Sequence, residues 1–132
     1  MGAMNRRLGT TSRVAGAALV LLALTAAVRP AVFSQATGGL WEVSRSDGGR
    51  RNVCIADPVL LAQYEHLKSR CSRDVIRDLR GRAEISYSCA GGGFGQSKVE
   101  QITPRSLRIE TQGISRDAPF HYVVQARRLG NC

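Results

Sequence analysis

Leu107-Arg108-Ile109-Glu110-Thr111-Gln112 is the stretch on which the fold turns. Apolar and β-branched residues alternate with charged and polar ones, the period-two pattern of a strand with one buried face. Pro104-Arg105-Ser106 precedes it as a turn, and Asp117-Ala118-Pro119 follows as another. Beyond that turn Phe120, Tyr122, Val124 and Ala126 alternate with His121, Val123, Gln125 and Arg127. Upstream, Gln96 to Thr103 is a further strand, reached from the flexible turn Gly91-Gly92-Gly93. Ala83, Ile85, Tyr87 and Cys89 alternate with Glu84, Ser86 and Ser88, and Arg80-Gly81-Arg82 turns the chain before them. Arg73 to Leu79 is expected as a strand with Val75 and Leu79 inward.

The same period appears at Trp41-Glu42-Val43, and Asp47-Gly48-Gly49 is a hairpin signal because such turns need positive φ. Arg51 to Ile55 is the return strand. Asp57-Pro58 then reads as an N-cap with proline at the first helical position. Leu60, Tyr64, Leu67 and Cys71 recur at helical spacing, so the pattern predicts a helix over about 58–70 with that stripe toward the core. The expected class is α+β, mostly β: an antiparallel β-meander of about seven strands with one helix packed across it.

The N-terminus has the three zones of a secretory leader. Arg6, Arg7 and Arg13 are positive, Val14 to Val28 is an uncharged run of fifteen, and Arg29-Pro30 ends it. Ser34-Gln35-Ala36 presents small residues at the two positions a signal peptidase reads, with Thr25-Ala26-Ala27 as a second site. The expected division is therefore a leader over 1–36 and one exported domain over 37–132, periplasmic or secreted. The apolar run falls short of the ~20 residues of a membrane span, so no stable span is expected after cleavage. Without residues 1–36 the chain keeps 15 basic and 10 acidic side chains, net +5 against +9 for the whole.

All four cysteines, Cys54, Cys71, Cys89 and Cys132, follow residue 36. An even count in a short exported chain is a disulfide framework, and four cysteines allow three pairings. Cys71 ends the expected helix on its core face and Cys89 ends an inward strand pattern, which favours Cys71–Cys89. Cys132 closes the last strand, which would lie beside the strand of Cys54, which favours Cys54–Cys132.

Gly39-Leu40-Trp41-Glu42-Val43, then Cys54-Ile55 before a helix, Cys71, Tyr87-Ser88-Cys89-Ala90-Gly91, and the ending Arg128-Leu129-Gly130-Asn131-Cys132 form an ordered set. In that order they resemble the small secreted bacterial proteins grouped as domain of unknown function 3617, over nearly the whole chain after residue 36. The resemblance implies an exported domain and assigns it no activity. The span between Trp41 and Cys54 is shorter here than in that group.

The chemistry-bearing residues point away from catalysis. The cysteine spacings contain no Cys-x-x-Cys pair for redox work or haem attachment. Zinc held by cysteines with His66 and His121 competes with disulfides, which an oxidising compartment favours. Both histidines are expected at the surface, without a local nucleophile. Gly91-Gly92-Gly93-Phe94-Gly95-Gln96 lacks the sixth-position glycine and following helix of a dinucleotide site. It reads as a mobile turn with Phe94 as an exposed binding contact.

Arg108, Arg127 and their neighbours, gathered on one face, would make an anion-attracting patch. Phe94, Arg108 and Arg127 are thus the expected binding surface, with no catalytic, cofactor or metal residue. The expected protein is a non-enzymatic binding or structural module of the cell envelope. Its expected partner is an envelope protein or an anionic envelope component, and no nucleic acid. A small lipocalin-like ligand carrier and an inhibitor of an envelope-attacking enzyme such as lysozyme are the alternatives.

Overall fold

The alternation is realised as seven antiparallel strands in the computed structural model, which describes Gly2 and residues 29–132. Of the expected leader, the positive residues 6, 7 and 13 and the apolar run lie outside the described residues. The strands are β1 Gly39–Arg45, β2 Arg50–Ile55, β3 Cys71–Leu79, β4 Arg82–Cys89, β5 Phe94–Thr103, β6 Ser106–Ser115 and β7 Ala118–Gly130. They form one sheet in the order β2-β1-β7-β6-β5-β4-β3. Strands β3 to β7 are a meander, because each turn joins antiparallel neighbours. The β1–β2 hairpin attaches to it by pairing β1 with β7. The fold is mostly β with a helical segment crossing the sheet, as the pattern predicts. No helix among the described residues is long and apolar enough to cross a membrane.

One face of the sheet is apolar. Trp41 and Val43 of β1, Ala83 and Ile85 of β4, Val99 of β5, Leu107 and Ile109 of β6, and Tyr122, Val124 and Ala126 of β7 are all buried there. Two helical pieces cover them. A 3-10 turn, Ala31–Phe33, brings Val32 and Phe33 onto β3, β4 and β5. A crossing segment, Pro58–His66, brings Leu61, Ala62, Gln63 and Tyr64. Each fully buried Val, Leu or Phe contributes about 1.5–3 kcal/mol relative to exposure.

The crossing segment departs from the predicted helix. It is two short 3-10 pieces that meet at a kink at Gln63 (φ −114°, ψ 38°). Besides Pro58, its buried residues run consecutively from Leu61 to Tyr64, whereas Leu60 and Leu67 are only half-buried. Gln63 explains the break. Its buried amide donates to the carbonyls of His66 (3.2 Å) and Ser69 (3.1 Å), and its oxygen accepts from Arg73 of β3. A buried amide satisfied in this way winds the chain back toward β3 instead of continuing a helix. The start follows expectation: the Asp57 side chain accepts from Val59 N–H at 3.1 Å, and Pro58 follows.

Leu79 is not inward. It is 53% exposed, because a bulge between Val75 and Arg77 changes the phase of β3. Val75 faces Ile85 on the inner side, and past the bulge Arg77 and Leu79 turn outward with their partners Glu84 and Arg82. One extra residue in a strand has this effect on every residue after it.

Both favoured disulfides are present, Cys54–Cys132 and Cys71–Cys89. The local reasons differ from those read in the sequence. Cys71 opens β3 directly across from Cys89 and does not end a helix. β7 lies beside β1 and not β2, so Cys132, beyond the end of β7, reaches past Leu40 to meet Cys54.

Candidate binding cleft

The end of the sheet carrying the β4–β5 and β6–β7 turns is built differently from the rest of the inner face. There Tyr87, Gly95, Gly113 and Phe120 stand in one cross-strand row. Two central glycines leave a trough between two aromatic walls. A Cβ on Gly95 would lie 2.6 Å from the Tyr87 hydroxyl oxygen, and one on Gly113 would lie 2.1 Å from the Phe94 carbonyl oxygen. Only glycine fits such close approaches.

His66, the last residue of the crossing segment, enters this trough. Its ring is edge-on to Tyr87 (centroids 5.5 Å apart) and to Phe120 (5.8 Å). Nδ1 lies 3.1 Å from the Tyr87 hydroxyl. Nε2 is buried and has no hydrogen-bond partner among the described residues. Whichever tautomer is present, one ring nitrogen keeps an unused donor or acceptor, which is uncommon in a native interior. Gly93 lies against it with no room for a side chain: a Cβ there would fall 2.2 Å from Nε2.

Beside His66 runs a second polar chain. The Tyr122 hydroxyl donates to the Glu65 carboxylate at 2.7 Å, Arg45 lies 3.7 Å from the same carboxylate, and its guanidinium sits 3.9 Å above the Tyr122 ring. Arg45 is held charged chiefly by its hydrogen bond to Asp47, whose carboxyl is lowered by the same contact. Burial pushes the Tyr87 phenol up to about 12. Burial also raises Tyr122 well above the ordinary tyrosine range, helped by its hydrogen bond to Glu65 and by that charge. Both phenols are therefore neutral hydrogen-bonding groups at neutral pH.

Over these residues opens a cleft of about 660 Å³, lined by Glu65, His66, Ser69, the Ala90–Gly93 turn, Ser115, Arg116 and Phe120. Arg116 and Asp117 hold left-handed backbone (φ 51° and 62°) at the tip of the β6–β7 hairpin. Two non-glycine residues in that region carry strain. Arg116 is exposed at the cleft and forms no ion pair among the described residues.

Of the three residues expected as a binding surface, Arg108 and Arg127 are diagonal neighbours on the outer face, since Arg108 stands opposite Gln125, two residues along β7 from Arg127, but Phe94 is not with them. Phe94 is the first residue of β5, outside the turn, and is 51% exposed on the outer face, in a groove that adjoins the cleft at Pro119 and Phe120. Arg108 stands opposite Glu100, six residues along β6 from Ile114, the partner of Phe94. At ~3.4 Å per residue that is roughly 20 Å away. Arg127 lies 3.4 Å from Glu42. The outer face between them alternates in sign, with Arg77 facing Glu84, Glu84 facing Lys98, and Lys98 facing Glu110. Among the strand arginines, Arg45, Arg82 and Arg127 form ion pairs with acids of the described residues, whereas Arg108 stands opposite Glu100 and Gln125 without one.

The histidines separate as well. His121 is exposed on the outer face, 3.2 Å from Glu110, while His66 is inside. With all four sulfurs in disulfides, the zinc set conceivable from sequence has neither its thiolates nor its two histidines on one side. The sequence signal for the cleft is the pair Gly95 and Gly113, two inward positions in neighbouring strands without a side chain. Compared with known proteins, the chain matches no family model, no curated protein and no solved structure.

Proposed function

We propose that this protein is a non-enzymatic binding module of the cell envelope, exported to the periplasm or beyond. Its recognition surface is the cleft between the Ala90–Gly93 turn, the β6–β7 hairpin and the end of the crossing segment. The observation that carries this reading is an open cleft lined by His66, whose rim holds the exposed guanidinium of Arg116 without an ion pair among the described residues. A carboxylate or phosphate of a partner would meet the Arg116 charge on the rim. Glu65, the acid in the cleft lining, is already engaged by Tyr122 and Arg45. Two disulfides suit an oxidising compartment, and the resemblance to domain of unknown function 3617 points the same way.

A lipocalin-like carrier has less support. The volume such a carrier would leave empty holds Phe33, Trp41, Leu61 and Gln63, all fully buried.

The test compares binding of the oxidised protein to a solubilised envelope fraction at moderate salt with that of two charge reversals. Arg116→Glu should weaken binding by at least about tenfold, equivalent to about 1.4 kcal/mol. Arg82→Glu, at the far end of the sheet, should leave it unchanged. Equal loss in both variants would mean diffuse charge attraction, and no binding by the wild type would sink the proposal.

A further inference from the structure

Residues 29–36 belong to the expected leader by sequence, yet they are built into the domain. Val32 and Phe33 expose none of their surface, and Ala36 exposes 7%. The backbone is tied in consecutive turns, Phe33 N–H to Pro30, Ser34 N–H to Ala31 and Ala36 N–H to Phe33. Arg29 locks the segment from outside. Its guanidinium donates to the carbonyls of Phe33 (3.2 Å) and Ala36 (3.3 Å) and pairs with Asp57 at 2.8 Å. Asp57 is the same residue that caps the crossing segment. Ala31 N–H adds a 3.1 Å bond to Asp78 of β3.

Cutting after Ala36 would remove the two large side chains covering β3, β4 and β5, together with this clamp. The site before Arg29 has no such cost. Thr25-Ala26-Ala27 offers small residues at the same two recognition positions and closes the apolar run, nine residues ahead of Ala36.

We infer that export processing hydrolyses the Ala27–Val28 bond, so that the mature chain begins at Val28 and keeps residues 29–36 as part of its core. Water supplies the hydroxyl to the Ala27 carboxyl and the proton to the Val28 amine; the catalyst is an envelope endopeptidase that reads small residues. This rests on the export reading above. The mature chain then carries 16 basic and 10 acidic side chains, net +6, because Arg29 stays.

The test expresses the full chain with its own N-terminus in a bacterial host and measures the N-terminal sequence and intact unreduced mass of the product. Val28 as first residue, with two disulfides, is the expected result. Ala27→Leu should abolish that N-terminus, whereas Ser34→Asp, at an exposed position that the Ala36 cut would need, should leave processing unchanged. A product starting at Thr37, or processing blocked by Ser34→Asp and not by Ala27→Leu, overturns the inference while leaving export standing. Uncut chain with four free thiols in the cytoplasm overturns export and this inference together.

Discussion

Phe33→Ala tests how deeply the segment before β1 is integrated. Phe33 exposes none of its surface and sits on three strands of the sheet. Replacing such a phenylalanine by alanine costs about 3–5 kcal/mol, the sum of lost transfer energy and the cavity left behind. A domain of this size is stable by about 5–15 kcal/mol in all, so a large part is at stake. At roughly 4–8 °C per kcal/mol for a domain near 100 residues, the melting temperature should fall by at least about 12 °C. The assay is thermal and urea unfolding of the oxidised protein, with Phe94→Ala as control. Phe94 is 51% exposed, and its loss should cost within about 0.5 kcal/mol. If Phe33→Ala cost less than about 1 kcal/mol, the segment would be a loose appendage and its place in the core would be refuted.

Gly93→Ala should cost about 1–3 kcal/mol by overpacking and shift the His66 ring resonances, since the new Cβ falls 2.2 Å from Nε2; an unchanged spectrum would mean the turn does not lie against the ring. Alkaline stability follows from Tyr87 and Tyr122, both raised above the unfolded value of about 10. The unfolded chain then loses protons first, so the contribution of these phenols is constant below about pH 10 and stability falls above it, by up to about 1.4 kcal/mol per pH unit for each phenol and through about pH 12 for Tyr87. A urea midpoint that stays flat from about pH 8 to 11.5 would contradict this. Removing Cys54–Cys132, which closes 78 residues, should cost about 4.5 kcal/mol, against about 3 kcal/mol for Cys71–Cys89, which closes 18. Melting of the two double alanine variants gives the order, and the reverse order would contradict the loop-closure account.

The strands are legible in the sequence because their inner positions form an unbroken period of two. Leu107, Ile109 and Thr111 are all buried, and so are Tyr122, Val124 and Ala126. β3 is legible only up to Val75, because the bulge at Ile76 leaves no mark in composition and inverts the phase of Leu79. The crossing segment misleads for another reason. Leu60, Tyr64 and Leu67 imitate a helical stripe, but Gln63 binds three carbonyl or guanidinium partners and sets a kink that propensity does not encode. The disulfide partners follow from strand ends, although the reach of Cys132 past β1 depends on a strand order that local pattern leaves open. The cleft is harder to read. His66 looks like a surface histidine until Gly95, Gly113 and Phe120 are placed in one row, and that row exists only once the registers of three strand pairs are known.

Hydrogen–deuterium exchange of the oxidised protein, with and without a solubilised envelope fraction, tests the recognition cleft most directly. Slowed exchange is expected at residues 90–93 and 115–118 and at the end of the crossing segment, 65–69, with the outer face unchanged. Protection confined to the outer strands around Arg108 and Arg127, or no protection anywhere, would contradict recognition at the cleft.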